Sequence, residues 1–502
     1  MAGRKTRCGR AAIRTFGSMR NNFTAFGLTL VCASAFAATE PAVALPARIA
    51  RVENGLLPPA RIAGAKADVW SLTARMKFYK VPGVSLAVIE HGAIEWARGY
   101  GVARVGEDSP VTPDTLFQAA SISKPVAAAA ALTLVDAGQL ALDADVNASL
   151  KSWKVPAAKG LTGLVTLRRL LSHTAGLTVH GFAGYAAGSS RPTLVQLLDG
   201  RPPANSAPIR LTLPPGAQWR YAGGGYCVAQ QLLLDATGAD FPSLMCERVL
   251  VPTGMAASTF EQPLPESLAA LASAGHGTDG RRMAGDTHTY PEMAAAGLWT
   301  TPSDLARFAL ALQRSLEGRD GFLKRETAVT MITPPLAGSD YGLGLGVKGE
   351  GDKLSLSHNG ANAGFRCALV AYPRTGRGAI VMTNSDNGGA LASEILRALA
   401  REYGWPDYPV EEKTTVRLAP IAYDFFVGRY EREATILAFS RDGGRFYLRA
   451  PGQPRREIFA SSDHEFFLLN SADTYTFERD AAGNVTHLIR RAPTPQIFQP
   501  VR

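Results

Sequence analysis

The sequence predicts an α+β fold, one antiparallel sheet joined to a helical lobe, followed by a small all-β, barrel-like C-terminal domain. Strand-like alternation appears near both ends of the stretch 66–403, with helical patterns between. Around Trp405-Pro406 and Tyr408-Pro409 the chain then changes to short aromatic or β-branched runs separated by turn signals. The 502 residues are 46% hydrophobic and 19% charged, enough apolar matter for a packed core, which excludes a disordered chain. No internal repeat is present, which disfavours a solenoid.

The first 44 residues read as a secretory signal peptide. Arg4, Lys5, Arg7, Arg10, Arg14 and Arg20 precede an apolar run from Phe23 to Ala38, and small-residue sites follow at Ala35-Phe36-Ala37 and Ala42-Val43-Ala44. The run is too short and too interrupted for a membrane anchor. The formal charge of +10 therefore overstates the exported chain, because cleavage after Ala44 removes six cations and Glu40 and leaves +5. No later Lys/Arg stripe suggests nucleic acid, and no other stretch is long and apolar enough to span a bilayer. The expected location is the periplasm or the exterior. Cys8 and Cys32 leave with the signal. Cys227, Cys246 and Cys367 allow one bridge at most and read as core thiols, with Cys227–Cys246 as the pair to test.

Residues 45–65 read as a loose leader. Asp68 to Tyr79 has helical periodicity, and Val84–Glu90 and Ala93–Tyr100 form a hairpin about His91-Gly92. From Phe117 the pattern turns helical, and the helix that contains Pro125 and an alanine-rich run ends at Gly138. Helices follow at Tyr226–Thr237, Phe241–Val249 and Ser303–Ser315. Strands return at Leu343–Val347, Phe365–Tyr372 and Ala379–Thr383, before a helix at Ala390–Tyr403. A linker at 404–416 leads to the β domain at 417–502. Its strands include Phe425–Tyr430, Ile436–Phe439, Phe446–Arg449, Phe466–Leu469, Tyr475–Phe477 and Val485–Ile489, and it carries no cluster suggesting chemistry.

Three phrases carry the chemistry. In Ser121-Ile122-Ser123-Lys124 the i, i+3 spacing puts an amine beside a hydroxyl on one helix face. Serine needs such a base to act as a nucleophile, and the first turn of a helix favours a developing oxyanion. The lysine must be neutral to accept the proton, which requires burial or a neighbouring cation. In Arg220-Tyr221-Ala222-Gly223-Gly224-Gly225-Tyr226, the Tyr221 phenol can both donate and accept a proton. In Leu356-Ser357-His358-Asn359-Gly360-Ala361, a strand edge can offer a backbone N–H from Ala361 as a second oxyanion donor, with His358 flanking the substrate.

Taken together and in this order, the phrases resemble the penicillin-recognising serine hydrolases: class C β-lactamases, DD-peptidases and their esterase and D-aminopeptidase relatives. The resemblance runs from about Val81 to Tyr403. It includes Pro82-Gly83-Val84-Ser85, Thr115-Leu116-Phe117, Leu171-Ser172-His173-Thr174-Ala175-Gly176-Leu177 and the run Ala296 to Leu305. It implies a β-lactamase-like domain with Ser121 as nucleophile and Lys124 and Tyr221 as the proton-handling pair. An acyl-serine intermediate would be hydrolysed by water. Gly223, His358, Gly360 and Ala361 would lie at the substrate and oxyanion side, and His173 would be structural.

Two departures from the family pattern stand out. Gly223 occupies the place of an Asn that holds the substrate's amide, and His358 replaces a Lys. Both shift the expectation from a β-lactamase towards an esterase or peptidase, and Gly223→Asn is expected to favour amides over esters. The competing expectation is a catalytically silent module that captures cell-wall peptides or docks partners. No cofactor or metal is expected. His276 and His288 share a Gly-rich loop without metal-ligand spacing, and no G-x-S-x-G elbow occurs. The partner is a small-molecule or peptide substrate.

Overall fold

A computed structural model of the chain describes residues 44–501 apart from 66–68, 320, 434, 452–454, 472 and 492–494. The signal-peptide reading of residues 1–44 thus lies outside the described residues, Ala44 excepted. The central sheet has six antiparallel strands in the order β3-β2-β9-β8-β7-β6. These are β2 Gly83–Glu90, β3 Ala93–Gly101, β6 Gly346–Lys348, β7 Ser355–Asn362, β8 Phe365–Tyr372 and β9 Arg377–Thr383. β2 and β3 form the expected hairpin, and β2 also pairs with β9, Val84 opposite Thr383.

Every residue of β2 is buried, as befits a strand covered on both faces. Its side chains alternate between two cores. Val84, Leu86 and Val88 meet the C-terminal helix Gly388–Tyr403, while Ala87 and Ile89 meet the helical lobe. The lobe includes α3 Ser123–Asp136, the helix Gly223–Thr237 and the helix Pro302–Leu316. A two-stranded ribbon of β4 Phe117–Gln118 and β5 Trp299–Thr300 leads into α3.

The N-terminal stretch corrects the sequence reading. Residues 45–65 are no loose leader. They form α1 Leu45–Glu53, which buries Ile49 and Val52, and β1 Ala60–Ile62. β1 pairs in parallel with β10 Glu411–Lys413, inside the stretch read as a linker. The α1 pattern was too short to read as amphipathic, and Arg51 draws it onto the C-terminal helix by pairing with Glu402. The next helix, α2, spans Leu72–Tyr79. The predicted helix Phe241–Val249 is α-helical only to Met245 and continues as a π turn.

The C-terminal domain is a closed antiparallel barrel of eight strands, β11 to β18, running from Gly428 to Pro500. Phe426, Phe439, Phe446, Phe466, Tyr475, Phe477 and Phe498 fill it, so it has a packed core and no lumen. Among the described residues no helix is long and apolar enough to cross a membrane and no disulfide forms. Cys227 and Cys367 are buried thiols.

Candidate active site

Ser121 lies in a 3₁₀ turn, Ala120–Ile122, immediately ahead of α3, so the helix begins two residues later than the serine. Ala120 is held at φ +50, a left-handed conformation unusual for a residue with a Cβ and a mark of local strain at the turn. The turn is fastened on both sides. The Ala119 amide donates to Leu298 O at 2.9 Å, and the Leu298 amide donates to Ser123 Oγ at 2.9 Å. Lys124, only 2% exposed, places Nζ 2.9 Å from Ser121 Oγ and donates to Ala295 O at 2.8 Å.

The Tyr221 phrase folds against His173. The Arg220 amide donates to His173 O at 2.9 Å, and the Ala222 amide donates to His173 Nδ1 at 3.1 Å. Nδ1 is therefore an acceptor. Burial pulls this imidazole well below its ordinary pKa and keeps it neutral. The Tyr221 ring stacks 4.1 Å from the His173 ring, and Lys124 Nζ lies 5.0 Å from the Tyr221 centroid. Serine, amine and phenol are thus brought together as the sequence suggested.

Gly360 and Ala361 lie within β7. A Cβ at Gly360 would stand 2.2 Å from Ala119 O, so only glycine lets this strand touch the turn that carries Ser121. Asn362, next along β7, secures the contact by donating to Gln118 Oε1 at 2.8 Å and to Ala296 O at 3.1 Å. Ala361 is thereby carried alongside the Ser121 turn.

On the substrate side, His358 and Gly223 are both engaged within the fold. His358 is buried and engaged on both nitrogens. The Asn359 carbonyl, 2.7 Å away, can only accept, so Nδ1 carries the hydrogen and Nε2 accepts the Tyr341 hydroxyl at 3.1 Å. Burial pushes His358 down to about 3, and it presents no cation to a substrate. Gly223 opens the helix Gly223–Thr237, and its amide is already committed to His180 O at 3.0 Å.

Several contributors were missed. Tyr341 packs on His173 with centroids 5.0 Å apart, and Trp219 stands 5.9 Å from Tyr341. The alternating glycines of Tyr341-Gly342-Leu343-Gly344 were the available signal, since a Cβ at Gly344 would lie 3.2 Å from Tyr226 Oη. Glu292 precedes the short helix Met293–Ala296 that supplies the Ala295 carbonyl. It is fully buried, and neither carboxyl oxygen has a hydrogen-bond partner. His276 Nδ1 donates to Asn384 O and its Nε2 accepts from the Val105 amide, and His288 contacts Ala183 O, so both are structural. Among the described residues no cluster could hold a metal ion.

Comparison with known proteins places the chain in a family. The family model described as Beta-lactamase matches residues 71–402. The chain is 24% identical to penicillin-binding protein 4* of Bacillus subtilis, covering 78% of this chain and 90% of that protein. It is 32% identical over a shorter stretch to esterase EstB of Burkholderia gladioli, covering 40% of this chain and 55% of that one. Its fold matches the octameric penicillin-binding protein homologue from Pyrococcus abyssi with a TM-score of 0.60 at 21% identity, over 86% of this chain and 98% of that chain.

Proposed function

Because the chain belongs to the β-lactamase family, we propose that it is an exported serine hydrolase that cleaves an ester or amide through an acyl-serine intermediate. The observation that carries the reading is the buried Lys124 amine 2.9 Å from Ser121 Oγ. Ser121 Oγ attacks the carbonyl carbon while its proton passes to Lys124 Nζ, and the Ser121 and Ala361 amides stabilise the oxyanion. Lys124 and Tyr221 then deliver a proton to the departing alcohol or amine, leaving the acyl group on Ser121. Water enters and gives its proton to the same pair. The acid leaves and Ser121 regains its hydrogen.

The buried, neutral His358 supports ester substrates over those that carry a carboxylate near the scissile bond. Labelling with a fluorophosphonate and with a fluorescent penicillin tests the chemistry. The parent protein is expected to take up the fluorophosphonate at Ser121, and Ser121→Ala to lose both label and turnover while keeping its circular dichroism. Turnover by a folded Ser121→Ala protein would overturn the assignment. Export is tested by the N-terminal sequence of the mature protein, expected to begin at Leu45, the first residue of α1. A cytoplasmic protein with an intact N-terminus would overturn it.

A further inference from the structure

The wall beside Tyr221 is made of rings. A Cβ at Gly223 would lie 3.0 Å from His180 O and 3.0 Å from Phe182 Cε2, and one at Gly224 would lie 2.5 Å from Thr178 O. The two glycines let the segment 178–182 lie flush on the start of the helix, locked by hydrogen bonds from the Gly223 amide to His180 O and from the Gly224 amide to Val179 O, both 3.0 Å. The half-buried Phe182 ring thus fills the volume into which a longer side chain at 223 would project. A side chain at 223 would need the His180 carbonyl and the Phe182 ring to give by a few tenths of an ångström.

Tyr221 itself has aromatic neighbours. His180 is exposed and stacks on Tyr221 with centroids 4.8 Å apart. Trp219 is 42% exposed, unusual for so large an apolar ring, and stands 6.5 Å from Tyr221. The local cation turns inward, since the Arg220 guanidinium donates to the carbonyls of Gly176 at 3.1 Å and Leu177 at 3.0 Å. No charge is therefore offered to a substrate anion by Arg220 or His358.

We propose that Trp219, His180 and Phe182 form an aromatic rim that selects esters with a flat, apolar acyl group. The inference rests on the hydrolase reading above. The acyl group is the part to examine, because it stays bound through both halves of the reaction and a fixed wall acts on it twice. Rings offset against the rim bury apolar area and gain quadrupole attraction, whereas an amide-bearing acyl group finds no donor at position 223.

The test holds the leaving group constant and compares p-nitrophenyl phenylacetate with p-nitrophenyl acetate. The parent is expected to favour phenylacetate in kcat/KM by about tenfold. Trp219→Ala and Phe182→Leu are each expected to cut that ratio by about threefold to tenfold, mainly through KM. Trp219→Ala removes an exposed ring and Phe182→Leu keeps apolar packing, so both are read on folded protein checked by circular dichroism. A parent ratio near one, or a ratio that neither variant moves, overturns the rim while leaving Ser121 chemistry standing. Loss of turnover on both esters with no fluorophosphonate adduct overturns the hydrolase reading and the rim with it.

Discussion

His358 and Glu292, both buried, pull stability in opposite directions with pH. His358 titrates at about 3 when folded and near 6.5 when unfolded. As pH falls from about 6.5 the unfolded chain binds a proton that the folded protein refuses, so stability is lost on acidification. Burial pushes the Glu292 carboxyl up to about 7, against roughly 4.3 in an unfolded chain. Between these values the folded state holds the extra proton, so stability falls as pH rises towards 7 and stays low above it. Glu292→Gln is therefore expected to gain over the parent as pH increases, by up to about 3 kcal/mol at pH 8, in urea unfolding compared at pH 5 and pH 8. A difference that does not change with pH would mean that Glu292 does not titrate in this range. Neither effect could be read from the sequence. Lys124 stood out because its serine lies one local turn away, whereas Tyr341 reaches the site from a segment far along the chain, marked only by the alternating glycines that follow it.

At the scale of the element, the site depends on how closely β7 approaches the nucleophile turn. Gly360→Ala would drive a methyl into Ala119 O, backbone rather than a flexible tip. The expected cost is about 1–3 kcal/mol of stability with a larger loss of kcat than of KM, because the strand carrying Ala361 must move away from Ser121. Thermal unfolding and steady-state kinetics on one ester check both, and unchanged kcat would separate β7 from the oxyanion. The hairpin, β8, β9 and α3 were legible because alternation and helical period run long enough to be read, whereas β7 was read only as lying between strand-like segments. α1 was not, since nine residues beginning Leu45-Pro46 place only Ile49 and Val52 in the core. The strained Ala120 was invisible for another reason: alanine gives no hint of a left-handed backbone, and the surrounding ribbon and Ser123 impose it.

For the whole molecule, the barrel behaves as a second core. Its rings interlock at short range, Phe426 with Phe477 at 4.8 Å and Phe439 with Phe477 at 5.0 Å. Phe477→Ala should open a void and destabilise this domain by about 3–5 kcal/mol, seen as an earlier transition in a calorimetric scan. A single unshifted transition would mean that the barrel relaxes around the loss. The Ala60 amide of β1 donates to Leu469 O, and the Val416 amide, just beyond β10, donates to Ala460 O of the barrel. The change of character after Tyr403 was plain in the sequence. The parallel pairing of two short, polar segments hundreds of residues apart was not, because no local pattern encodes it.

The pairing of β2 with β9 also sets an order of events. The first long strand to emerge waits for a neighbour that arrives nearly three hundred positions later, Val84 against Thr383. Until then its apolar edge is bare on one side, and an incomplete chain offers that edge to any other strand nearby. A polypeptide built this way has reason to be kept from settling until its final third has appeared.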